Sequence, residues 1–390
     1  MFLDHMFKIM AERKASDLYI SVGAPINIKV NGVVSPVGGK AMDIDTVRRI
    51  AYEVMSEEQA RSFEAEREMN LSHLDPGVGN FRINIFRQKG TISLVIRYVR
   101  SEIPPFADLR LPPVLLELVM EKRGLILIAG ATGSGKSTTL AAMIDHRNTN
   151  RSGHILTIED PIEYVFHHKK SIVNQRELHI DTESYTKALA NALREAPDLI
   201  MIGEIRDRET MQHALLHTLT GHLCLATLHA NNSYHGLSRI INMFPYEARS
   251  GVLSDLSIGL RAIISQRLVR NTAGVYQPAV EILLNTTFIA ELIKNGEIVQ
   301  IKEAMEKSLY PGSQTFEQAL CRLYLDGALT YDEAMTASDS STNLAWLINQ
   351  NAPSTRVDAM TRPEAGKSAQ RTHSDFAALQ IEPDMLDRPH

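Results

Sequence analysis

Cysteine is almost missing from this 390-residue chain. Cys224 and Cys321 are the only two, too few for a disulfide framework or a four-cysteine zinc site. Long apolar runs are missing as well, and no stretch approaches the ~18–20 apolar residues of a membrane span. The opening MFLDHMFKIMAERK puts Asp4, His5 and Lys8 where a secretory signal would need an unbroken apolar stretch. There is no excess of positive charge: 41 Lys and Arg stand against 46 Asp and Glu, a formal net charge of −5. Proteins whose main partner is bulk nucleic acid are usually basic, so no nucleic-acid partner is expected. The composition that remains, 44% hydrophobic and 22% charged, excludes a largely disordered or fibrous chain. Two domains in a cytoplasmic, enzyme-sized protein are expected at this length.

Residues 1–100 read as a small α/β domain. The helical spacing of Met1–Lys14 is interrupted at Ser16-Asp17, before the short apolar run Leu18–Val22. Asn31-Gly32 lies between Ile26–Val30 and Val33-Val34, and both turn residues tolerate positive φ, which signals a hairpin. Asp45–Glu66 reads as one or two charged amphipathic helices. Phe81–Ile85 alternates apolar and polar residues as a half-buried strand does, and Ile92–Val99 reads as a second strand. Four prolines (Pro104, Pro105, Pro112, Pro113) make 101–113 a linker in which helix and central strand are disfavoured. From Val114, apolar runs alternate with helical periods, the pattern of a parallel sheet flanked by helices, and this domain extends over 114–350. Residues 351–390 hold few large apolar side chains and read as a disordered tail.

The strongest motif is Gly130-Ala131-Thr132-Gly133-Ser134-Gly135-Lys136-Ser137, set between the apolar run Leu125–Ala129 and the helical stretch Thr138–Asp145. This is a P-loop in its strand–loop–helix context. Backbone amides of such a loop curl around phosphate oxygens, and the helix dipole adds to them. Lys136 would neutralise the β- and γ-phosphates of ATP, and Ser137 would ligate Mg²⁺. A metal-side acid belongs at the carboxyl end of a neighbouring strand. Glu204, after Leu199–Ile202 and Gly203, fits that place. Glu159, Asp160 and Glu163 crowd the end of another apolar run, Ile155–Ile158, and one of them is a candidate general base. His222 and His229 bracket the run Leu223–Ala226 and could sense the γ-phosphate. Zinc is not expected at His213 and His217, which lack the acidic partner of a metalloprotease helix.

In this order the motifs resemble those of the PilT/PilU-type retraction ATPases of the secretion and type IV pilus superfamily. Gly130–Ser137, Ile158–Glu163, Gly203–Asp207 and Thr220–His229 are similar to that family's Walker A, Asp box, Walker B and His box, and Ala15-Ser16-Asp17-Leu18 to its N-terminal signature. The resemblance covers roughly residues 10–340. It implies a PAS-like N-terminal domain, a RecA-like P-loop core, and a homohexamer in which the N-terminal domain lies against the neighbouring subunit. It also implies two arginines brought to nucleotide by the N-terminal domain, and Arg82 and Arg97 match those positions. By the residues alone, Arg82 is equally a solvated strand arginine. The expected roles are phosphate and Mg²⁺ at Lys136, Ser137 and Thr138, the metal side at Glu204, and the attacking water at Glu163, with Glu159 second. An inner-membrane platform protein and a PilT-type paralogue are the implied partners.

The chain departs from the family pattern at several points. It lacks the four-cysteine motif of extension and secretion members, which favours the retraction branch. Phe288–Lys294 replaces the retraction signature Ala-Ile-Arg-Asn-Leu-Ile-Arg-Glu, and Tyr19 stands where the PilT branch usually has His. The run from Gln314 to Ile348 resembles the PilU branch, which points to an accessory motor. Two rivals remain at this stage: a nucleic-acid motor on the same core, and a scaffold that binds ATP and modulates a partner ring.

Overall fold

The computed structural model describes residues 2–30, 32–75, 77–99, 102–308 and 310–351. The N-terminal part is an antiparallel six-stranded sheet with three helices. In chain order these are α1 (Phe2–Glu12), β1 (Asp17–Ser21), β2 (Asn27–Val30), β3 (Val33–Pro36), α2 (Ile44–Glu53), α3 (Glu57–Glu66), β4 (Glu68–Asp75), β5 (Gly79–Gln88) and β6 (Thr91–Val99). The strand order is β3-β2-β1-β6-β5-β4. Helix α1 buries Leu3, Met6, Phe7 and Met10, one stripe at helical spacing. Val30 faces Val33 across the β2–β3 hairpin and Gly32 takes φ +84°, while Asn31 lies outside the described residues. The charged stretch 45–66 is two helices, because Ser56 opens a new one with a capping box to Gln59. Sequence reading missed β4. Its edge position buries only Leu71, so its pattern is too polar to read as a strand.

Residues 102–113 hold one short 3-10 turn, Phe106–Leu109, but they are not loose. Leu111 is buried, and Ile103, Phe106 and Leu109 pack on the core that follows. Arg100 and Ser101 lie outside the described residues, as does the expected tail from residue 352 on.

The second part is an α/β fold around a seven-stranded, mainly parallel sheet. It runs α4 (Val114–Val119), β7 (Gly124–Ala129), α5 (Lys136–Asn150), β8 (Gly153–Glu159), β9 (Ser171–Glu177), α6 (Tyr185–Ala192), β10 (Leu199–Ile202), α7 (Arg208–Leu219), β11 (Leu223–Leu228), α8 (Ser233–Asn242), α9 (Arg249–Gly259), β12 (Leu260–Arg270) and β13 (Tyr276–Leu284). Helices α10 (Thr287–Asn295), α11 (Ile301–Glu306), α12 (Phe316–Leu325), α13 (Tyr331–Ala337) and α14 (Ser341–Asn351) complete it. The order is β13-β12-β7-β11-β10-β8-β9, with only β13 antiparallel to its neighbour. Strands β7, β10 and β11 are buried at every position, which is why they read as unbroken apolar runs. Two apolar layers cover the faces of the sheet, and a separate small cluster (Phe316, Leu320, Leu344, Ile348) binds α12 and α14 to β12 and β13. Among the described residues no helix is long and apolar enough to cross a membrane.

Candidate nucleotide site

Parallel strands deliver their carboxyl ends to one edge of the sheet. Here β7 leads into the P-loop, β8 into the acidic loop, β10 into Gly203-Glu204 and β11 into His229. The register makes these ends level, with Ala129 beside Leu228, and Ile202 beside both Ala226 and Ile158. Four motifs distant in sequence therefore meet at one edge.

The P-loop needs its first glycine. A Cβ on Gly130 would stand 2.4 Å from Ser134 Oγ and 2.7 Å from the main-chain oxygen of Gln266. Gln266 of β12 also accepts a hydrogen bond from Thr139 Oγ1 at 2.8 Å, bracing the first turn of α5. Lys136 is buried, and its Nζ donates to the carbonyls of Gly130 and Ala131, both at 2.9 Å. Burial pulls its pKa down, and Glu204 and Glu163 act against that. Thr138 Oγ1 and Tyr164 Oη, 2.9 Å apart, tie α5 to the acidic loop.

Glu204 is held on both oxygens. Arg206 Nε donates to Oε2 at 2.6 Å, and His229 Nε2 lies 3.1 Å from Oε1. Arg206 also reaches Asp160, 3.4 Å away, and the hydrogen bond to Glu204 raises its pKa. The backbone of the Glu204 turn is pinned by its neighbours: Gly203 N donates to Ile158 O, Thr227 Oγ1 to Gly203 O, and Ile205 N to Thr227 O. Gly203 fits because Tyr185 Oη, Glu159 Cα and Ile158 O all crowd the space of a side chain there.

The two glutamates of the acidic loop differ. Glu159 is buried, and burial pushes its pKa up to about 7. Thr157 Oγ1 and Gln175 Nε2 both donate to its Oε1, at 2.7 and 3.1 Å, and the Glu163 amide also bonds to it. Glu159 therefore shapes the loop. Glu163 is exposed, and its charge acts on both Lys136 and Arg82.

The two arginines are cross-strand partners on β5 and β6, the consequence of their fifteen-residue separation across a tight hairpin. Arg82 Nη2 donates to Ile162 O of its own chain at 2.9 Å, and Ser72 of β4 donates to Glu177 of β9 at 2.8 Å. Burial lowers the Arg82 pKa against the pull of Glu163 and Glu177. Arg97 is bound to the buried Asp17, 2.9 Å away, so the Ala15–Leu18 signature supplies its mate. Within its own chain Arg82 therefore sits on the acidic loop. His222 lies apart from His229. It precedes β11 while His229 follows it, so the strand separates them by roughly 20 Å. His222 Nδ1 instead lies 3.1 Å from His217 O, beneath α7.

Sequence reading gave no role to Arg206, Gln266, Gln175 or Tyr185. Arg206 stood inside a recognised motif, whereas the other three carried no signal. Among the described residues no three His, Cys, Asp or Glu side chains gather as a metal cage. Ser137 at the helix start and Glu204 across the edge suit a cation that takes its other ligands from phosphate and water, as Mg²⁺ does.

This fold and edge define a P-loop protein of the nucleotide-binding α/β class. More particularly, the chain belongs to the Type II/IV secretion system protein family, which it matches over residues 1–282. It is 44% identical to the type IV pilus ATPase PilU of Pseudomonas aeruginosa over 98% of this chain and all of that protein. It is 38% identical to the type IV pilus retraction ATPase PilT of the same organism, over 86% of this chain and 97% of the other. The crystal structure of the pilus retraction motor PilT with bound ADP superimposes with a TM-score of 0.82, at 42% identity, covering 87% of this chain and 99% of that one.

Proposed function

We propose that this chain is an ATP-hydrolysing motor of type IV pilus retraction, of the PilU kind, acting as an accessory to a PilT-type paralogue. The observation that carries the reading is the meeting of Lys136, Glu204, His229 and Glu163 at one sheet edge, in a chain related over nearly its whole length to PilU. Lys136, Ser137 and the amides of 130–138 would hold the phosphates, and Ser137 with Glu204 would hold Mg²⁺, which supplies charge neutralisation at the transferred phosphoryl group. Glu163, whose side chain is exposed, is the carboxylate suited to orient and deprotonate the attacking water. Glu159 holds that loop in place. His229 links the state of the site to Glu204, and Arg82 brings positive charge from the N-terminal domain. Phosphoryl transfer asks mainly for positioning and electrostatic stabilisation.

The motor is a homohexamer docked at the cytoplasmic face of the inner membrane, where it passes work to a platform protein. Two measurements test this. Purified protein should release phosphate from ATP in a Mg²⁺-dependent way, and a hexamer should be seen by mass. Cells holding only this protein, only its paralogue, or both should retract pili poorly, well and best. Retraction by the paralogue that is indifferent to this protein would refute the accessory role.

A further inference from the structure

His229 is the second partner of Glu204, so whatever holds the loop after it governs the acid. That loop, residues 229–232, runs from β11 into α8. Asn232 caps α8 by accepting from the His235 amide at 3.0 Å. On its outer side the loop meets two charged residues. Arg267 of β12 donates through Nη2 to Asn231 O at 3.2 Å. Asp339, in the connection between α13 and α14, accepts from Asn232 Nδ2 at 3.0 Å through Oδ2 and from Arg267 through Oδ1. Arg267 also donates to Ala337 O at 2.7 Å and lies over the Phe316 ring, its Cζ 4.0 Å from the ring centre. A guanidinium is suited to such a site, because its planar fork serves several acceptors while its face stacks. Both side chains are mostly buried. The C-terminal helices therefore grip the His229 loop at two points through one carboxylate.

We infer that Arg267 and Asp339 are positioning residues for the hydrolytic site: they make the seating of His229 against Glu204 depend on the C-terminal helices α12–α14. The inference rests on the ATPase reading above. The link works in both directions, since coupling between two parts of a molecule is reciprocal. A change at the nucleotide edge therefore moves the α13–α14 connection.

The chain carries its own reporter. Trp346 is its only tryptophan, and it lies partly exposed on α14, seven residues beyond Asp339. The experiment uses the full-length protein, with Mg²⁺-ATP and fluorescent ATP as probes, and compares wild type with Asp339→Asn, Arg267→Lys and the control Asn343→Ala. Asn343 instead donates to Glu306 on α11 at 3.1 Å. Wild type should show a nucleotide-induced change in Trp346 emission. In Asp339→Asn that change should vanish and kcat should fall about tenfold, the factor expected for one charge-assisted hydrogen bond. The Kd for ATP should stay within about twofold. Arg267→Lys, which cannot fork, should follow in the same direction, and Asn343→Ala should match wild type in both readouts.

Retained kcat and retained emission change in a folded Asp339→Asn protein would overturn the inference. So would a kcat loss matched by an equal loss of ATP affinity, which would make this a binding defect. A wild type without any emission change would overturn it as well. A wild type that binds ATP and never hydrolyses it would refute the proposed function instead, and the Trp346 comparison would still decide the link.

Discussion

Gly203 offers the sharpest test of how the Glu204 turn is built. A Cβ there would stand 2.7 Å from Tyr185 Oη, 3.2 Å from Glu159 Cα and 3.3 Å from Ile158 O. The last two are main-chain atoms at the end of β8 and cannot swing aside. The hydroxyl belongs to a ring packed on the core, in a site where burial raises the phenol pKa well above 10. Gly203→Ala should therefore cost about 1–3 kcal/mol, the usual range for overpacking. Tyr185→Phe alone should cost about 0.5–1.5 kcal/mol, since it strips the Glu204 amide of its acceptor. In the double variant the closest clash is gone, so the two costs should fall short of additivity by about 0.5–2 kcal/mol. Urea midpoints of the four proteins give the cycle, and phosphate release gives its functional side. Turnover in Gly203→Ala should drop further than stability does, because the displaced residue is the one before Glu204. Wild-type stability and turnover in Gly203→Ala would refute the reasoning, and so would strictly additive costs.

Other expectations follow from the same edge. Lys136→Ala should abolish phosphate release, whereas Glu204→Gln should leave nucleotide bound and unhydrolysed, read by filter retention beside a turnover assay. Burial raises the pKa of Glu159 from 4.5 to about 7, so the fold prefers its neutral form. That contribution is complete below pH 4.5 and is lost as pH rises through about 7. Relative to Glu159→Gln, wild type should lose on the order of 3 kcal/mol over that window, and a pH-independent difference in urea midpoint would contradict it. Arg82→Ala should slow turnover. Mixed with Lys136→Ala under confirmed subunit exchange, it should recover nothing if the Ile162 contact is its working position; restored activity would place the arginine in a neighbour's site.

What was legible in the sequence was what repeats locally. The P-loop announces itself because glycine, lysine and serine must be adjacent to wrap phosphate, and the flanking strand and helix carry their own periods. Buried parallel strands such as β10 and β11 read as apolar runs for the same reason. Edge strand β4, with one buried residue, gave no such pattern. Asp17 beside Arg97 was hidden because the pair is set by strand register, 80 residues apart.

Spacing along a strand does not carry its direction, and His222 precedes β11 while His229 follows it. Seven positions apart on either side of one strand look symmetrical in sequence, yet a parallel sheet has only one edge where loops gather charge. Direction along the strand, which a list of motifs does not carry, decides which histidine reaches Glu204. The same logic explains why Arg267 and Asp339 escaped notice. Each is an ordinary charged residue in its own neighbourhood, and only the return of the chain through β12 and the α13–α14 connection brings both to the loop after His229. A side chain acquires a part in the site there through topology, with no local motif to mark it.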